Sequence, residues 1–329
     1  MKRIFLPLLL IPFGVFSQAF DQNNEPTIGA LSSLHLCDSN ANVLANTNGN
    51  NATWDFSQIA GIFGVTKDVQ MLDASLDPNF ASFAGATKLY DIGGNFQTFF
   101  SSDANGRVSQ GFVFNEVSLG AVVASWSTDQ ENLMTYPFNF GNNITDIFSG
   151  TVTTTATGTI PATGSSMAAV DGTGTLLLPG GNTYSNVSRY HLKDSAVATV
   201  FGTNVAFVRE VFEYYDFTVS NLPIFITMSV DVNSPLIVNS STIILSKDQP
   251  TTFVGINENS TDSFVLYPNP SNGQIQFSKD LNGASYSVLD AAGRTIQSGT
   301  ANSALDVTKL QSGVYFLSVN NQVIEFQIQ

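Results

Sequence analysis

Along most of the chain, apolar and polar residues alternate with a period of two, and helical periodicity is scarce. Short runs of Val, Ile, Phe, Tyr and Thr are cut by clusters of Gly, Asn, Asp and Pro, the pattern of half-buried strands joined by tight turns. Residues 96–101 and 107–114 flank Asp103-Ala-Asn-Gly106, which predicts a hairpin because Asn-Gly tolerates positive φ. Residues 173–178 and 187–193 flank Pro179-Gly-Gly181. Residues 205–219 form a long strand candidate that turns at Asn221-Leu-Pro223 into 224–232, and 236–245 continues the meander. Many short strands with frequent turns predict an all-β fold, an antiparallel sandwich or barrel, here read as a large antiparallel β-sandwich-like domain.

The pattern breaks at both ends. Lys2 and Arg3 precede an apolar run from Ile4 to Val15, too short to span a bilayer, with small residues at Ser17 and Ala19. Residues 1–19 are therefore expected to be a signal peptide; Pro7, Pro12 and Gly14 argue against a buried helix. Residues 20–245 form the large β-rich domain, 246–262 read as a polar linker, and 263–329 form a second, small β unit.

The last unit carries Tyr267-Pro268-Asn269-Pro270, then Gly273, a turn at Gly293, and Gly313-Val314-Tyr315. The prolines remove donors and predict an extended, unpaired entry. Gly273 and Gly293 suit positive φ. Val314 and Phe316 alternate with Tyr315 and Leu317, and Asn320-Asn321 suits a two-residue turn. A small immunoglobulin-like β-sandwich is expected. The order of these motifs resembles the type A C-terminal sorting domains of type IX secretion cargo. The resemblance implies partnership with the type IX secretion machinery and a secreted protein, at the cell surface or extracellular. It also implies fixation to surface lipopolysaccharide or release. Members often end on a basic tail, whereas residues 325–329 read EFQIQ. Thr53-Trp-Asp-Phe-Ser57, Tyr136-Pro-Phe-Asn-Phe140 and residues 171–181 resemble segments of uncharacterised members of that group.

Composition narrows the partners. Only 12% of residues are charged and the formal net charge is −14, so phosphate backbones are repelled and nucleic acid is excluded as a partner. The single cysteine, Cys37, forms no disulfide within the chain.

Candidate chemistry is sparse. His35 and Cys37 share a strand face, half of a metal or nucleophile site with nothing to complete it. No nucleophile elbow occurs. Glu210 and Asp216 share one face of their strand and Glu213 the other; Arg189, His191 and Lys193 form a basic stripe able to pair with such carboxylates. Thr151, Thr153, Thr155, Thr157 and Thr159 alternate, as on one exposed strand face or, less simply, an ice-like surface. Asp38-Ser-Asn-Ala-Asn42 opens like a calcium loop, but Val43 and Gly49 stand where an EF-hand needs Gly and Glu. No cofactor is expected, although loosely bound calcium among loop carboxylates stays open. Asp194-Ser195-Ala196 resembles a short bacterial O-glycosylation sequence. These readings favour a non-enzymatic adhesion, structural or glycan-binding role, with a carbohydrate-active hydrolase using Glu210 or Glu213 as the alternative.

Overall fold

The computed structural model describes residues 19–39, 47–116, 120–200, 202–233, 238–254, 265–290, 294–302, 304–319 and 322–329. It is 67% strand and 3% helix, the all-β content that the alternation predicts. Two compact units divide the chain at Gly255 and Ile256. Among the described residues no helix is long and apolar enough to cross a membrane.

The first unit opens with Leu31–Cys37 (β1), Gly49–Asp55 (β2) and Gly61–Asp73 (β3). Lys88–Ile92 (β4), Phe96–Asp103 (β5), Gly106–Glu116 (β6) and Gly120–Asp129 (β7) follow as a meander. Glu131–Thr135 (β8) and Asn143–Thr154 (β9) lead to two long strands, Gly158–Leu178 (β10) and Asn182–Val200 (β11). Thr203–Tyr215 (β12), Phe225–Asn233 (β13), Val238–Ser246 (β14) and the short Phe253–Val254 (β15) complete the unit.

β1 pairs with β3 along its length and with β14 at His35 and Leu36. The order β1-β14-β13-β12-β11-β10-β9-β7-β6-β5-β4-β3 therefore returns to β1, closing an antiparallel ring. Opposite walls meet across the interior: the Phe112 and Phe207 rings, on β6 and β12, are 4.8 Å apart. The ring is thus one closed sheet whose walls touch across the interior at this point. Gly164 permits the tight interior, since a Cβ there would lie 2.2 Å from the Phe148 ring. Gly111, at φ +131°, lets β6 approach β7; a Cβ would meet the Ala124 carbonyl at 2.0 Å.

Inward side chains form the main core, including Phe96, Phe112, Trp126, Phe148 and Ile226. Outward positions such as Lys193, Ser195, Glu210, Thr227 and Ser229 are polar. This order is the inverse of a lipid-facing barrel. Two segments cover parts of the outer wall. β2 and Phe56 pack on Tyr214 and Phe225, with Phe56 stacked on Phe225 at 4.3 Å. Phe83 packs on Phe99 at 3.9 Å on the other side.

One end of the ring is closed by the segment that follows the predicted leader. Phe20 exchanges two backbone hydrogen bonds with Phe138 and sets its ring edge-on to Tyr215 and Phe217, at 4.9 and 5.0 Å. Glu25 then reaches Lys88, Arg107 and the Tyr136 hydroxyl.

The second unit comprises Leu266–Tyr267 (β16), Gln274–Phe277 (β17), Ser285–Leu289 (β18), Thr295–Thr300 (β19), Ala304–Asp306 (β20), Gly313–Val319 (β21) and Gln322–Ile328 (β22). Two sheets, β16-β17-β20 and β19-β18-β21-β22, enclose Ile275, Val288, Leu317 and Phe326, the small sandwich that the sequence predicts.

Four details differ from expectation. The proposed linker begins too early: Ser246 ends β14, Lys247 N–H donates to the Ile224 carbonyl, and Phe253–Val254 pair in parallel with β3. Backbone pairing holds 246–254 to the first unit. The threonine row does not lie on one strand, because the chain reverses between Thr154 and Gly158; Thr153 and Thr159 instead share a cross-strand hydrogen bond of 2.9 Å. Gly273 is not at positive φ. Tyr267 pairs with Gln276, so the entry to the small unit is not wholly unpaired. Gly293, the Asn320-Asn321 turn, most of Asp38–Asn42 and residues 1–18 of the expected leader lie outside the described residues.

Phe20 is 3% exposed and contacts rings from three directions. Phe20→Ala is expected to cost about 3–5 kcal/mol of folding stability, the range for a buried Phe. Urea denaturation of the chain measures it, and a loss below about 1 kcal/mol would show that the plug is not part of the folded core.

Candidate functional site

The strand period separates the weak candidate carboxylates. On β12, Glu210 faces outward, whereas Arg209, Val211 and Glu213 belong to the inward row. Outside, β11 presents the basic stripe. His191 Nε2 lies 3.0 Å from Glu210, its Nδ1 lies 3.2 Å from Asp171, and its ring stacks on Phe212 at 4.1 Å. Lys193 joins Glu210 at 3.4 Å. Arg189 clasps Asp171 at 2.7 Å and lies over the Trp54 and Phe212 rings. Hydrogen bonds from His191 and Arg189 hold the Asp171 carboxyl below its usual range despite burial. Trp54 and Asp171 come from two of the three segments that resemble group members. They meet at Arg189 because β2 runs beside the second half of β10.

Inside, Glu213 accepts hydrogen bonds from Tyr90, at 2.9 Å, and Tyr215, at 2.6 Å. Burial raises its pKa even so. Asp216 is buried and accepts from Thr218. No wall position brings Glu210 and Glu213 together, because a strand lies between their faces.

Deeper in the ring lies a charged belt. Arg209 bonds Asp194 through Nε, at 3.0 Å, and Nη2. Its guanidinium lies over Phe96 and Phe112, at 4.7 and 5.3 Å. Glu131, from β8, is fully buried beside this pair, and neither carboxylate oxygen receives a well-aligned hydrogen bond. Burial first, and then Asp194, push Glu131 up to about 8; Arg209 and the hydroxyls of Ser109 and Ser166 oppose this only in part. Its proton spares the interior an uncompensated charge. The sequence reading assigned no role to Arg209 or Glu131. The available signal was phase: Asp194 sits between Leu192 and Ala196, and Arg209 between Phe207 and Val211, where alternation calls for apolar residues.

The other motifs do not assemble chemistry. Cys37 is buried in the outer core, its thiol pushed up to about 12 by burial, and a register shift separates it from His35. Among the described residues no three His, Cys, Asp or Glu side chains gather as a metal ion would require. Asp194 points into the ring, so the Asp194-Ser195-Ala196 sequence offers only Ser195 outward.

In the second unit the motif residues lock onto the final strand. Asn269 Oδ1 accepts from Gln327 N–H at 2.9 Å, and Asn269 Nδ2 donates to the Glu325 carbonyl at 3.3 Å. Ser271 pairs with Ile328. Tyr267 and Pro268 to Pro270 stay exposed. Gly313 pairs with Ile328, Val314 is exposed, and Tyr315 stacks on Phe326 at 5.8 Å. Residues 265–327 match the family model for secretion system C-terminal sorting domains. The C-terminal unit is a sorting domain. It makes the chain cargo of the type IX secretion machinery, exported from the cell. Comparison with curated proteins and with solved structures finds no significant match.

Glu131 sets a pH dependence. Its folded pKa lies above its unfolded value, so the folded state binds the extra proton. That contribution is complete below the unfolded pKa and is lost as pH rises through about 8. Glu131→Gln is expected to match the parent near pH 5 and to exceed it at pH 9 by at least about 1 kcal/mol, because there the parent must bury a carboxylate charge that the neutral amide lacks. Denaturant midpoints at the two pH values measure this, and a variant weaker than the parent at pH 9 would refute it.

Proposed function

We propose that residues 20–254 form a non-enzymatic binding domain that acts outside the cell, carried there by the sorting domain. The observation that carries this reading is the separation of Glu210 and Glu213 by the wall. A glycosidase needs two carboxylates about 5 to 10 Å apart and converging on one bond. Here Glu210 is engaged by His191 and Lys193 outside, and Glu213 by two tyrosines inside. Adhesive, structural and glycan-binding roles all fall within this reading, as does retention on surface lipopolysaccharide. An exposed aromatic pair, Phe63 and Phe253 at 5.1 Å, offers the outer wall a stacking surface for a sugar face.

Two experiments test the halves of the proposal. A chain lacking residues 263–329 should accumulate in the periplasm, as fractionation and immunoblotting would reveal. Undiminished appearance of the truncated chain in the medium would remove the sorting domain as the address. The exported chain should turn over no polysaccharide, peptide or ester in a broad panel. Turnover abolished by Glu210→Gln or Glu213→Gln, with circular dichroism unchanged, would establish the hydrolase instead.

A further inference from the structure

The ring is filled unevenly from end to end. Near the Phe20 plug, the inward row of β11 reads Tyr190, then Leu192 and Asp194. Toward the other end it shrinks to Ala196 and Ala198. Across the interior stand Ala124 on β7 and Val232 on β13, with the Phe112, Phe114 and Phe207 rings between. Small side chains on facing walls leave a cavity there, with about 700 Å³ of empty space including the part open to solvent. It lies at the end of β6 away from Arg107, and Arg107 holds Glu25 of the plug. Among the described residues the ring is therefore closed at one end and hollow at the other.

The lining specifies the chemistry of an occupant. No charged side chain lines the cavity among the described residues. Its hydroxyls, on Thr154 and Thr157, bond each other at 2.9 Å. A second space, about 640 Å³ including the part open to solvent, shares Phe114 and Val232 with the first, and its polar groups are neutral: Asn95, Asn115, Asn239 and Ser241. Apolar cavities favour apolar molecules, because entry removes apolar surface from water. Among the described residues an anionic head group would find no Lys or Arg to receive it in either space, in a chain already at net charge −14.

We propose that this end of the ring is a binding site for an uncharged amphiphile: a hydrocarbon body seated between Ala196, Ala198 and Phe207, and a neutral hydrogen-bonding end at the asparagine rim. The inference rests on the reading of the large domain as a binding module and names its ligand class. The contrast with the belt beneath explains the depth of the site, since Arg209 and Asp194 are already committed to each other and Glu131 is buried beside them. Hydrocarbon would stop at the Phe96 and Phe112 rings that shield Arg209.

The full exported chain can be titrated with N-phenyl-1-naphthylamine, a neutral probe that fluoresces in apolar surroundings. Saturable binding at one site is expected. Displacement by 1-dodecanol should be at least about tenfold more effective than by dodecanoate at pH 8, because only the alcohol is uncharged. Ala198→Phe, which fills the space, should weaken probe binding about tenfold or more while the melting temperature stays near the parent value. Ala124→Leu gives a second filling variant on the opposite wall, should the first fail to fold. Absence of saturable binding would overturn the proposal, as would equal binding by the folded filling variants or preference for the carboxylate. Hydrolase assays on the same preparation keep this result separate from the broader reading: turnover would overturn the binding-module reading whether or not the probe binds.

Discussion

Seven residues of β1 hold the large unit together by pairing on both sides, with β3 along one edge and with β14 at His35 and Leu36. An open sheet of this length would leave two unpaired edges, each a template for another chain. Closure removes both and turns one face of every strand into an interior. The two ends of the strands then meet different fates. Phe20, Phe138 and Glu25 close one, while the inward row at the other tapers to alanine. Cavity, belt and plug are all consequences of a sheet that has an inside.

That inside accommodates charge at a cost which the sequence had to offset locally. Arg209 and Asp194 occupy apolar phase positions, so each must meet the other; their bonds span adjacent strands in register, at Asp194 opposite Arg209. Glu131 has no such partner and is held neutral by its surroundings. Replacing such a group with an apolar one is often neutral or stabilising in other folds, so its presence argues for specificity of strand register more than for stability. Outside, the same strand places Glu210 against His191 and Lys193, and the Lys193 pair is of the small magnitude usual for partly exposed ions.

The sorting domain shows how a local motif becomes a surface. Tyr267-Pro-Asn-Pro270 is visible in the sequence as a string, yet what makes it rigid is distant. Asn269 is fastened to Glu325 and Gln327, more than fifty residues on. Exposed Tyr267 and the prolines are thereby held on a fixed base.

Local pattern by itself determined the strand content, the hairpin at Asn105-Gly106, the two-unit division, the sorting motif and the opposite facing of Glu210 and Glu213. Each depends on residues within a few positions, or on the two-residue period of a strand. Tertiary structure alone decided that the sheet closes, that Trp54 meets Asp171 at Arg189, that the threonine row folds back on itself, and that 246–254 stay with the first unit. It also decided which inward positions face one another, and so where Glu131 is stranded and where alanines leave a hollow. Alternation tells a residue which side it is on; only the pairing of strands far apart in sequence tells it what lies opposite.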